Sequence, residues 1–160
     1  MIRVYVLIFL ACVLCAEEVK IDFKETRYID ALNEKVTRDG WISFSDNSTK
    51  IHYGDREIML INSHVTIKNA DENVQVNARE EQNIINMFAA LRAIFENSEE
   101  RLKTFFKITE KSQDETTLEA INSSNPISIL TYKVKNGNVT KLEIFSQNGD
   151  RITIDVVEKR

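Results

Sequence analysis

Apolar residues at every second position, in short stretches divided by polar turns, constrain the fold of this 160-residue chain more than any other feature. Val19, Ile21 and Phe23 alternate with Lys20, Asp22 and Lys24, the pattern of a strand with one face buried and the other in water. The alternation resumes over 36–44 and recurs in 51–53, 58–61, 65–67 and 74–76. Tyr53-Gly54-Asp55, Ile61-Asn62-Ser63 and Asn69-Ala70-Asp71-Glu72 divide these stretches with residues suited to tight turns. The spacing predicts an antiparallel meander.

The period then changes. Ile84, Phe88, Leu91 and Phe95 recur at helical spacing, and Ile85, Met87 and Ile94 widen the stripe, which predicts an amphipathic helix over 80–96. A shorter helix is expected over 98–104, with Ser98 as cap, Glu99 and Glu100 at the positive end of the helix dipole, and Leu102 toward the core. Strands return at 105–109, 116–121, 127–135, 138–146 and 150–157. Asn136-Gly137-Asn138 and Gln147-Asn148-Gly149-Asp150 supply the tight turns, and Pro126 stands just before a strand, where its missing N–H costs least. The total is roughly eleven strands and one helical interruption, without a repeat or a domain linker.

Residues 1–16, MIRVYVLIFLACVLCA, place Arg3 before an apolar run that ends at Ala16, with Glu17 and Glu18 next. This reads as a secretory signal peptide cut after Ala16, leaving 17–160 as one exported domain. The run is shorter than the roughly 20 apolar residues a membrane span needs. Both cysteines, Cys12 and Cys15, fall inside it, so the exported domain is expected to hold no thiol. A competing reading takes Phe9-Leu10-Ala11-Cys12 as a lipoprotein processing site with Cys12 acylated.

Composition excludes several function classes. A hydrophobic share of 42% argues against a disordered chain, and four Gly with one Pro leave no phosphate-cradling loop and no proline-rich recognition segment. A net charge of −4 is the wrong sign for a nucleic-acid binder. Neither His52 nor His64 has a Cys or His neighbour, and no Ser sits in a nucleophile-elbow setting. The acid pairs Glu80-Glu81 and Glu99-Glu100 stand at predicted helix starts, where carboxylates are stabilising for structural reasons. No enzyme, cofactor or metal is therefore expected.

A single antiparallel sheet of this length must curl, and the helix is the only cover for its apolar face inside the chain. Two readings stay open on periodicity alone: a helix that plugs the concave face, or one that roofs a partly filled hollow able to take an apolar ligand.

Phe23-Lys24-Glu25-Thr26-Arg27-Tyr28, then Ala31-Leu32, then Gly40-Trp41-Ile42-Ser43-Phe44, resembles the start of the LolA-like outer-membrane lipoprotein carrier family. The later order of hairpin, amphipathic helix and closing strands is similar too, over about 19–157. The resemblance implies an α+β, mostly β fold, an incomplete, open antiparallel β-barrel with a helical lid over an apolar cavity for acyl chains. It also implies a periplasmic carrier without catalysis, an inner-membrane exporter and an outer-membrane acceptor as partners, and a monomer. The family's Arg-Pro element after the second strand is replaced here by Ser45-Asp46-Asn47-Ser48-Thr49-Lys50, and the chain stops at Arg160 soon after its last strand, so the expectation is of a shorter, LolA-related branch. The cavity residues expected on this basis are Ile42, Phe44, Ile51, Tyr53, Leu60, Met87, Phe88, Leu91, Phe95, Ile129, Leu142 and Ile144, with Arg27 at the mouth. The rival reading is a non-catalytic interaction or assembly module with a filled core, docking a partner through an edge strand.

Overall fold

Among the described residues, eleven strands form one antiparallel sheet in which the first and last of them meet at the centre. The structure is a computed structural model and describes residues 18–70 and 72–160. The expected leader, its cut before Glu17, and Cys12 and Cys15 lie outside the described residues. The strands are β1 (Val19–Ile29), β2 (Glu34–Phe44), β3 (Ser48–Tyr53), β4 (Arg56–Ile61), β5 (His64–Asn69), β6 (Glu72–Val74), β7 (Phe106–Lys111), β8 (Glu115–Ala120), β9 (Ile127–Lys135), β10 (Asn138–Ser146) and β11 (Arg151–Lys159). Their order is β6-β5-β4-β3-β2-β1-β11-β10-β9-β8-β7, so the chain walks from the centre to one edge, crosses by its helices, and walks back from the other. The two edges, β6 and β7, do not pair, and the sheet is an open barrel rather than a closed one.

Register carries the core across the sheet. Ile21, Ile42, Ile51, Ile58 and Ile67 stand opposite one another on five successive strands, and all five are buried. On the other side Ile152, Ile144, Leu130 and Leu118 form a matching row. Because side chains alternate with period two, such rows keep one face apolar without a break. Gly40 lets two of these layers close up: a Cβ there would lie 2.5 Å from the His52 carbonyl oxygen and 2.8 Å from the Phe23 ring.

The crossing is α1 (Ala78–Phe95) followed by the single turn α2 (Glu99–Leu102). Asn77 opens α1 with a capping box, its side chain accepting from the backbone N–H groups of Arg79 and Glu80 while Glu80 accepts from Asn77 N–H. Asn97, at φ 53°, ends it, with Asn97 N–H donating to Ile94 and Ser98 N–H to Ala93, the paired bonds of a Schellman motif. Phe88, Ala90, Leu91, Ala93 and Ile94 face the sheet and are buried. Lys111 on β7 donates to Glu99, and that hydrogen bond holds the Glu99 carboxyl below its ordinary value and the Lys111 amine above its own.

Candidate binding site

The alternation that turns Ile21 and Phe23 inward on β1 continues through Glu25 and Arg27, so β1 passes from an apolar to a charged wall along one face. Between that face and α1 lies a hollow of about 170 Å³. Phe23, Ile42, Ile51, Tyr53, Ile58, Ile144, Ile152 and Ile154 line it from the sheet, and Met87, Leu91 and Phe95, successive turns of α1, line it from above. Glu25, Arg27 and Arg38 close its charged end.

Of the residues expected from the sequence, Ile42, Ile51, Tyr53, Met87, Leu91, Phe95, Ile144 and Arg27 all meet in this hollow. Phe44, Phe88 and Leu142 are core instead, buried against neighbouring side chains rather than open to the hollow. The Phe44 ring packs at a tilt on Phe95, 5.9 Å between centroids. Leu60 stands on the inward row of β4, opposite Thr49 and Val65, but lines a shallow surface depression beside Arg92. Ile129 does not line the hollow and is 40% exposed. A register shift between Phe145 and Ser146 puts a bulge into the β9–β10 ladder, so Ile127 and Leu130, three residues apart, both turn inward and Ile129 is left outside.

Phe23, Glu25, Arg38, Ile58, Ile152 and Ile154 were not anticipated at the site. All follow from extending the alternation by two and reading residues opposite in register, a signal present in the chain but hidden until the pairing of β1 with β11 is known. The Glu25–Arg38 pair is cross-strand: Arg38 donates from Nε at 3.0 Å and from Nη2 at 2.7 Å to the same Glu25 oxygen. The Arg38 guanidinium also lies 3.8 Å from the centroid of the Tyr53 ring. Glu25 is only 6% exposed, and a carboxylate so buried is tolerated because this partner satisfies it.

Three side chains fasten α1 over the sheet. Glu81 accepts from Val65 N–H at 3.2 Å, at a point where β5 runs beyond its pairing with β6. Arg92 donates to the carbonyl oxygens of Ser45 and Ser48, on either side of the β2–β3 turn, and its guanidinium lies 5.5 Å from the Phe44 ring. Asn97 donates to the Gly137 carbonyl in the β9–β10 turn at 3.1 Å. A second hollow, of about 180 Å³, lies under the first half of α1 between Ile84, Met87, Phe105, Phe106, Pro126 and Ile127. Met87 borders both.

On the outer face His52 stacks on Trp41, ring centroids 5.5 Å apart, and His64 is exposed at the start of β5. Among the described residues no three His, Cys, Asp or Glu side chains gather where they could hold a metal ion, and no helix is long and apolar enough to cross a membrane.

No protein-family model and no curated protein matches the chain. Among solved structures it is similar to a LolA superfamily protein from Nitrosomonas europaea, at 7% identity and a TM-score of 0.40, over 91% of this chain and 86% of that one. It is also similar to an outer membrane lipoprotein-sorting protein domain from Vibrio parahaemolyticus, at 8% identity and a TM-score of 0.44, over 89% and 84%. A DUF1329 family protein from Desulfovibrio piger is similar at 7% identity and a TM-score of 0.45, over 91% and 86%.

Proposed function

We propose that this protein is a non-catalytic carrier that shields an acyl chain of a lipid or lipoprotein beneath α1 while it passes between membranes of the periplasm. The observation that carries the reading is the hollow itself, walled by aliphatic and aromatic side chains from six strands and one helix. A space of about 170 Å³ is comparable to a dry cavity of roughly 150 Å³ that accepts benzene, so it receives the end of a chain as it stands. A whole chain needs α1 to rise. Each methylene hidden from water then contributes roughly 0.8 kcal/mol, which drives loading without any chemical step. The leader read in residues 1–16 and the resemblance of 19–157 to lipoprotein carriers support the periplasmic setting.

Native mass spectrometry of the exported protein, purified from its own cells, tests this directly. The expected result is a mass above that of the polypeptide starting at Glu17, lost on delipidation. Leu91→Ala, which widens the hollow, should shift the bound population toward longer chains. A bare polypeptide mass, no uptake of offered acyl lipids, and a Leu91→Ala variant that only loses about 2–5 kcal/mol of stability would establish a filled core instead.

A further inference from the structure

Of the three charged residues that line the hollow, Arg27 alone makes no hydrogen bond among the described residues. It stands on the inward face of β1 with an apolar residue opposite on each neighbouring strand, Val36 on β2 and Ile152 on β11. Its Nε is buried and makes no hydrogen bond among the described residues. The nearest carboxylate, Asp150, is 3.9 Å from Nη2, beyond hydrogen-bonding distance, and its other oxygen accepts from Asp30 N–H at 3.2 Å. Glu25 does not compensate either, since both N–H groups that reach it come from Arg38. The Glu25–Arg38 pair is satisfied internally, whereas Arg27, balanced in charge by Asp150 at 3.9 Å, keeps N–H donors that meet no acceptor among the described residues.

We propose that Arg27 is a headgroup site, and that the cargo is a single-chain amphiphile ending in an oxyacid, carboxylate or phosphate, whose tail lies along the apolar wall. This rests on the carrier reading and narrows its ligand class. A buried donor without a partner is costly, and a guanidinium presents parallel N–H groups whose spacing matches two oxygens of a carboxylate or phosphate. The side chain is 39% exposed, so the oxyacid reaches Arg27 without leaving water entirely. A neutral ester or alcohol head leaves the fork half-used, and an ammonium head, a donor only, offers it no acceptor. The apolar and charged ends of one wall therefore orient the ligand as well as hold it.

The test compares dodecanoic acid, dodecyl phosphate and dodecanol, each below its micelle-forming concentration, by calorimetric titration of the delipidated exported chain and its Arg27→Gln variant. Both acids should bind roughly ten- to hundredfold tighter than the alcohol, the worth of a hydrogen-bonded charge pair. Arg27→Gln should bring both acids to the level of the alcohol and leave the alcohol unchanged. Arg27→Lys keeps the charge without the fork; it should weaken the acids in part, and it decides the matter if the Gln variant fails to fold. The stronger of the two acids tells a fatty acid from a lysophospholipid source. Equal binding of all three ligands, or a variant that weakens all three alike, overturns the headgroup site while leaving the carrier reading in place. Binding of none of them overturns the carrier reading itself.

Discussion

At the scale of single residues, the site depends on a few positions where one strand carries both packing and polarity. Gly40 is the sharpest packing case. It faces Phe23 on β1 and Tyr53 on β3, and the Phe23 ring lies across it into the hollow. The space that a side chain would need is taken by backbone, the His52 carbonyl oxygen, which cannot rotate away. Gly40→Ala should therefore destabilise the protein by about 1–3 kcal/mol, the usual cost of overpacking, measured as a lower midpoint in urea unfolding followed by the fluorescence of Trp41, the single tryptophan. An unchanged midpoint would mean that β2 and β3 separate easily. The charged residues of the hollow were harder to read than its apolar ones for a related reason. Glu25 and Arg27 stand in phase with Ile21 and Phe23, but a carboxylate and a guanidinium on an alternating strand look like solvent positions until their cross-strand neighbours are known.

At the scale of elements, what matters is how α1 is held. Its apolar stripe supplies the attraction, while Glu81, Arg92 and Asn97 tie it at separate points to β5, the β2–β3 turn and the β9–β10 turn. Arg92 is the tie nearest to Leu91 and Phe95, the residues that roof the hollow, and it fastens the β2–β3 turn. Arg92→Gln should leave the fold intact, raise amide hydrogen exchange in the last turns of α1, and speed uptake of an acyl ligand. Exchange unchanged from the parent would assign the roof's hold to packing alone. The elements themselves were largely legible. Alternation and helical spacing located the strands and both α-helices, because a half-buried strand and a one-sided helix must each repeat at their own period, although β1 runs five residues beyond the alternation read at 19–24. Ile129 escaped because a bulge shifts the phase inside β9, where Ile127, Ile129 and Leu130 offer two equally apolar alternations and only the ladder with β10 chooses between them.

At the scale of the whole molecule, the decisive feature is one that no local pattern could announce: the sheet is joined at its middle by β1 and β11, the first and last of the described strands. β11 pairs with both β1 and β10, so within the sheet it is the strand whose ladders join the half built from β1–β6 to the half built from β7–β10. The hollow draws on both halves, with Ile42, Ile51 and Ile58 from one and Ile144, Ile152 and Ile154 from the other, so it forms only after the last strand is in place. Two proline substitutions separate this seam from an ordinary edge. Val74 lies on β6, a three-residue edge strand exposed along its length, and edge strands tolerate the loss of a ladder donor. Ile154 lies on β11 between Glu25 and Leu142, where proline removes an N–H from a ladder flanked on both sides. Val74→Pro should change stability by less than about 1 kcal/mol, whereas Ile154→Pro should cost at least about 1–3 kcal/mol, the penalty for an unbonded buried partner. The informative probe is Trp41, which sits on β2 in the opposite half. If the seam couples the halves, Trp41 fluorescence and far-ultraviolet circular dichroism will report the same lowered urea midpoint in Ile154→Pro. A Trp41 transition that stays at its original midpoint would mean that β1–β6 hold together without β11, and that the hollow is assembled from two separately folding parts.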